Sequence, residues 1–120
     1  MADRALFMGW GEPARGCEER ALECFNEAMG LLGRKQQEGK IESFDVVMLA
    51  PNTDLGGYVT VKGSAEQIAA LRVDPDYLRN TIEAQLSVDG IRHIEGYTNE
   101  GVAGQMAMYQ EAISKVPQRT

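Results

Sequence analysis

Ile91-Arg92-His93-Ile94-Glu95-Gly96-Tyr97 decides how this chain folds, because it is the last extended segment and it carries the only histidine. Asp89-Gly90 before it is a turn pair, and the seven residues mix β-branched and aromatic side chains with polar ones, as strands do. In a strand, successive side chains point to opposite faces. Ile91, His93, Glu95 and Tyr97 therefore share one face, and Arg92, Ile94 and Gly96 share the other.

Reading backwards from this strand, Asp74-Pro75 starts a helix: aspartate is a good N-cap and proline suits the first helical position. Leu78, Ile82 and Leu86 then recur every four residues and predict a buried stripe on a helix running to about Ser87. Ser64-Ala65-Glu66-Gln67 has the form of a capping box and opens a shorter helix through Ile68 and Leu71. Tyr58 to Lys62 alternates with a period of two. Lys40 to Ala50 is rich in β-branched and aromatic residues and is stopped by Pro51. With the turn residues 52–57 between them, these two segments predict a hairpin.

Upstream, Cys17 to Glu38 shows Leu22, Phe25, Met29 and Leu32 at helical spacing, widened by Ala21 and Ala28. Glu18 and Glu19 at its start and Arg34 and Lys35 at its end suit the helix dipole, and Gly39 is a natural stop. The short apolar run from Arg4 to Trp10 reads as a first strand. Beyond Tyr97, Thr98 or Asn99 caps a final helix with the stripe Val102, Met106, Tyr109 and Ile113, ended by Pro117.

The order is β-α-β-β-α-β with a C-terminal helix, and the second α is split at Asp74-Pro75. Right-handed crossovers in both halves give an α+β, ferredoxin-like domain over residues 1–120: a four-stranded antiparallel sheet with helices on one face. If Val59, Val61 and Ile94 turn toward the helices, the uncovered face carries Tyr58, Thr60, Lys62, His93, Glu95 and Tyr97. Such a face is too apolar in part to be simply a wetted surface.

Composition narrows the function classes. The chain has 120 residues, 43% of them hydrophobic, enough for a core without staples. Twelve Lys and Arg against 18 Asp and Glu give a net charge of -6, which repels a nucleic-acid backbone. No signal-like leader and no apolar run near the ~20 residues of a membrane span are present, so a soluble cytoplasmic protein is expected. One histidine and two cysteines fall short of any zinc pattern, and neither a metal nor a cofactor is expected. Cys17 and Cys24, seven residues apart on one helix, would have Cα atoms roughly 10 Å apart, beyond the ~7 Å that a disulfide spans.

The extent from the Ala5–Trp10 strand to Tyr97, with Gly63-Ser64-Ala65-Glu66-Gln67-Ile68 at a strand-to-helix junction and Ile94-Glu95-Gly96-Tyr97 in the last strand, resembles small uncharacterised bacterial members of the dimeric α+β barrel superfamily. That resemblance implies a homodimer in which two sheets pair through their uncovered faces. Members of the superfamily include cofactor-free quinone-forming monooxygenases, lactone isomerases, haem-handling enzymes and proteins of no assigned activity, so the fold restricts function little.

Two functions follow as expectations. The first is a homodimeric module that binds a small apolar or aromatic molecule in a pocket lined by Trp10, Tyr58, Lys62, His93, Glu95 and Tyr97, placed between helices and the uncovered sheet face or between paired sheets. The second is a cofactor-independent monooxygenase or isomerase acting on a small aromatic or carbonyl compound. In that reading His93 is the general base, Glu95, two residues away on the same face, is its orienting partner, and a tyrosine polarises a carbonyl. A packing network whose buried polar groups satisfy one another is the non-catalytic account of the same residues.

Overall fold

The computed structural model describes residues 2–117. Strand β1 (Arg4–Trp10) leads into helix α1 (Glu18–Gln37), then β2 (Ser43–Met48), β3 (Gly57–Gly63), α2 (Ala65–Arg72), α3 (Pro75–Ser87), β4 (Arg92–Tyr97) and α4 (Glu100–Lys115). The four strands form one antiparallel sheet in the order β2-β3-β1-β4. This is the predicted ferredoxin-like α+β arrangement. No helix among the described residues is long and apolar enough to cross a membrane.

Two local signals set the helix starts. The Ser64 hydroxyl accepts from the Gln67 amide at 3.1 Å, while the Gln67 side chain accepts from the Ser64 amide at 2.8 Å, a complete capping box. Asp74 accepts from the amides of Asp76 and Tyr77 at 2.9 and 3.2 Å with Pro75 in the first turn. Its second oxygen takes a bond from Lys35 Nζ at 2.5 Å, and this lysine holds the Asp74 carboxyl below the usual carboxylate range. One carboxylate thus starts α3 and ties it to the end of α1.

The core lies between the sheet and helices α1, α2 and α3. Leu6, Val59, Val61, Leu32 and Ile68 are fully buried there. Antiparallel partners point to the same side of a sheet. Leu6 lies opposite Val61 and Glu95, and Met8 opposite Val59 and His93. Arg4, Leu6, Met8, Trp10, Val59, Val61, His93, Glu95 and Tyr97 therefore belong to the helix side. Ala5, Phe7, Tyr58, Thr60, Lys62, Arg92 and Ile94 belong to the open side.

This register corrects one expectation. Val59 and Val61 do face the helices, but Ile94 does not: it pairs with Phe7 and is 56% exposed. The expectation followed hydrophobicity within β4 alone. The side is instead set by β1, whose Leu6 and Met8 fill the core and bring their β4 partners with them. His93, Glu95 and Tyr97 accordingly stand on the opposite side of the sheet from Tyr58 and Lys62.

A second correction concerns α3. Leu78, Ile82 and Leu86 are exposed, Leu86 by 76%, whereas Tyr77 and Ser87 are buried. The inward stripe runs through Tyr77, Asn80, Thr81, Ala84 and Ser87, small or polar residues that let α3 approach α1 closely. Asn80 Nδ2 donates to the Cys24 carbonyl at 3.0 Å, and the Ser87 hydroxyl satisfies itself on the Glu83 carbonyl at 3.0 Å. Cys17 and Cys24 are both free thiols, Cys24 buried in α1 and Cys17 at its N-cap.

Helix α4 leaves the edge strand β4 with no buried residue, so Val102, Met106, Tyr109 and Ile113 are exposed. Its cap residue Asn99, expected to bond the first turn, instead reaches back with Nδ2 to the Ala2 carbonyl at 2.7 Å and adopts φ 52°. The open sheet face is thus not covered by α4.

Replacing Asp74 by Ala removes both cap bonds and strands Lys35 in a half-closed site, with an expected loss of about 2 kcal/mol of unfolding free energy. Asp74→Asn keeps the cap and is expected to lose about half as much. Urea denaturation midpoints of the two variants check the order.

Candidate functional site

Beneath α1 and α3, on the helix side of β1 and the start of β4, the fold leaves a cavity of about 420 Å³. Its volume lies in the range of small-molecule sites, ~300–1,000 Å³. Trp10, Phe25, Met29, Val59, Ala84 and His93 form much of its wall. Glu12, Glu18, Leu22 and Met48 also line it and are exposed, which places them at the mouth.

Two of the glycines make the wall possible. A Cβ on Gly57, opposite Trp10, would come within 2.7 Å of both the indole and the Val47 carbonyl, so only glycine lets the ring lie across β3. Gly56 likewise gives way to the Gly11 carbonyl, within 2.4 Å of where its Cβ would stand. With β3 cleared, the Trp10 ring meets Phe25 of α1 edge-on, with centroids 5.7 Å apart and planes at 69°.

His93 is the one ring in this wall with a polar task. Its Nδ1 is hydrogen-bonded to the Tyr77 hydroxyl, and the two rings are tilted by 51° with centroids 5.4 Å apart. Burial, aided by the nearby Arg72 guanidinium, pushes His93 down to about 4, so the imidazole is neutral at physiological pH. Burial raises Tyr77 above an ordinary phenol, and Arg72 works against that rise. Glu95, one turn of the pleat further along, pairs with Arg72 at 3.7 Å rather than with His93.

The six residues singled out in the sequence therefore divide. His93 and Trp10 both line the cavity. Glu95 is on the same side of the sheet but engaged with Arg72, and Tyr97 lies beyond it under the Arg4 guanidinium, 4.5 Å from ring centre to Cζ. Tyr58 and Lys62 are on the far side, where Tyr58 packs on Phe7 with centroids 5.1 Å apart. A single chamber lined by all six is not formed within one chain. Sequence reasoning missed Tyr77, because the stripe of Leu78, Ile82 and Leu86 turned α3 the wrong way. It also missed Arg72, a last-turn residue of α2 with no local motif.

Among the described residues, Cys24, Glu27 and Glu83 come close enough to share a metal ion. Arg20 occupies that position instead, bonding Glu23 at 2.8 Å, Glu27 at 3.3 Å and Glu83. A resident cation compensates the carboxylates without a metal.

Comparison with solved structures places this geometry. A dimeric ferredoxin-like protein of unknown function from a Jannaschia species is 18% identical, with 79% of this chain and 99% of that chain aligned at a TM-score of 0.59. The shared fold is ferredoxin-like. A second dimeric protein of unknown function, from Bacteroides fragilis, is 7% identical over 79% and 96% of the two chains, with a TM-score of 0.58. A cofactor-independent oxygenase from Streptomyces nogalater is 13% identical over 82% and 95%, with a TM-score of 0.54. No family model and no curated protein matches the sequence.

The depressed His93 ionisation has a stability consequence whose sign is fixed. The unfolded chain takes up a proton near pH 6.5 and the native chain only near pH 4. Above pH 6.5 both are neutral and the linkage vanishes. As pH falls from 6.5 toward 4, the unfolded state binds more protons and the native state loses stability. Allowing for solvent that reaches the ring, the loss is about 1–2 kcal/mol by pH 4. The difference in unfolding free energy between the native protein and His93→Gln, measured at pH 7 and pH 5, is expected to shrink by roughly 1 kcal/mol on acidification.

Proposed function

We propose that the protein is a homodimeric module that binds a small, largely apolar molecule in the cavity between its sheet and helices α1 and α3. The observation that carries this reading is the cavity wall itself: Trp10, Phe25 and Met29 surround a volume that the chain's own side chains leave unfilled, with His93 among the few polar groups in it. A domain of this size gains stability by filling such space, so a volume left unfilled beside a Trp10 ring seated by Gly57 supports use by a ligand.

Binding is favoured over an oxygenase or isomerase activity because the His93–Glu95 pairing, on which a general-base mechanism was founded, is replaced by His93–Tyr77 and Glu95–Arg72. The preference against an anionic occupant follows from the mouth, where Glu12 and Glu18 would repel a carboxylate or phosphate entering.

The homodimer rests on a separate observation. The open sheet face carries the Phe7–Tyr58 ring pair and a largely exposed Ile94, apolar surface that a second sheet would cover. Two of the fold neighbours are themselves dimeric proteins.

Thermal-shift and calorimetric titration with naphthalene, a neutral probe of suitable size, is expected to raise the melting temperature of the native protein. Ala84→Phe, which fills the cavity, is expected to abolish that rise. A melting temperature indifferent to such probes in the native protein would sink the binding reading. Light scattering is expected to give twice the chain mass of 13.2 kDa, and Ile94→Glu on the open face is expected to give the single-chain mass with the cavity still competent.

A further inference from the structure

We infer that Tyr77 locks His93 in the tautomer that carries its proton on Nε2, making the histidine a fixed hydrogen-bond donor that selects ligands with a neutral acceptor oxygen, such as a ketone. The inference deepens the binding reading above and rests on the same cavity. It concerns which chemical group that cavity recognises.

A neutral imidazole has one nitrogen that donates and one that accepts, and the partner of either decides both. Here the partner of Nδ1 is a phenol. A phenol O–H is a stronger donor than a neutral imidazole N–H, and an imidazole lone pair is a stronger acceptor than a phenol oxygen, so the proton of the bridge stays on Tyr77. Arg72 reinforces this polarity. Its guanidinium acts on both groups, drawing electron density toward the phenol oxygen and opposing a second proton on the imidazole. The proton of the ring is then left on Nε2.

Nε2 is available to a ligand. Among the described residues no buried side-chain nitrogen or oxygen lacks a partner, and Nε2 makes no hydrogen bond to the protein, so it retains accessible surface. His93 is among the residues that line the cavity. Along β1, Met8 lies opposite His93, Trp10 follows two residues later and Glu12 stands beyond at the mouth. The donor therefore sits inside and the carboxylates outside. A ligand entering past Glu12 and Glu18 meets largely apolar walls first and the His93 N–H further in. An acceptor oxygen at its leading end is satisfied there, a hydrocarbon leaves the N–H unpaired, and an ammonium group at that end faces a donor.

Tyr77 is thus a positioning residue, acting on the ligand only through His93. The protein has one histidine, so its ring nitrogens can be read without assignment ambiguity. Long-range proton–nitrogen correlation spectra of the uniformly labelled native protein at pH 7 are expected to show Nε2 protonated and Nδ1 unprotonated. In Tyr77→Phe the two nitrogens are expected to average toward a mixture. A native spectrum with the proton on Nδ1, or a ring that titrates near pH 6.5, overturns the lock.

The ligand half is tested with acetophenone and ethylbenzene, which differ by one carbonyl oxygen. The ratio of their dissociation constants is expected to favour acetophenone about fivefold to tenfold more in the native protein than in His93→Leu, with Tyr77→Phe between them. An equal ratio in the native protein and His93→Leu overturns the selectivity. If neither compound binds, the cavity reading falls and the selectivity with it, while the nitrogen spectrum still judges the lock.

Discussion

The pairing of β1 with β4 in a register that sets Met8 opposite His93 is the constraint from which the rest of the site follows. Leu6 and Met8 must be buried, because they are the residues of β1 that meet α1 and α2 in the core. Antiparallel partners share a face, so burial of Met8 carries His93 inward and burial of Leu6 carries Glu95 after it. A shift of one residue would place Ile94 and Arg92 under the helices and His93 in solvent. The ionisation of the imidazole, its bond to Tyr77 and its place in the cavity wall all depend on that alignment.

The same register explains why the cavity is there at all. The helix side of the sheet receives bulk from β1 and β3 at Leu6, Met8, Val59 and Val61. Toward the C-terminal end of β1 the supply thins, since Gly57 stands opposite Trp10 and α3 turns small residues such as Ala84 inward. Tyr77 and Asn80 hold α3 in place through polar bonds to His93 and to the Cys24 carbonyl, so the helix cannot slide down to close the gap. Directional bonds thus fix α3 against α1 and against the sheet at the level of the cavity.

How much of this the sequence disclosed depends on whether the signal was local. The capping box at Ser64, the Asp74-Pro75 start and the alternation of Tyr58 to Lys62 are local, and each element appears as expected, as does the ferredoxin-like order they build. The inward face of α3 was not legible, because it is made of small and polar residues while the apolar stripe of Leu78, Ile82 and Leu86 is turned outward. Hydrophobic periodicity reports which face is greasy, and that face need not be the one the chain buries on itself. The side taken by Ile94 was misread for the same reason: β4 is an edge strand, and its facing is dictated by its pairing with β1, where the partner of Ile94 is Phe7, far earlier in the chain. His93 and Trp10 were found because they are the rare residue types. Tyr77 and Arg72, which give His93 its state, were not, since their relation to it exists only after folding.

Exposed apolar side chains on α3, on α4 and on the open sheet face stand in contrast to a core that is otherwise satisfied. A lone chain with this much greasy surface is unfavourable in water, and the open face carries Asp45 on edge strand β2, Lys62 on β3 and Arg92 on edge strand β4, charges of both signs that a twofold-related copy can match. Covering that face leaves the cavity untouched, because the two lie on opposite sides of the same four strands. The proposed assembly and the proposed ligand capture are therefore separable: the first would use the open side of each strand, the second the helix side with Trp10 and His93.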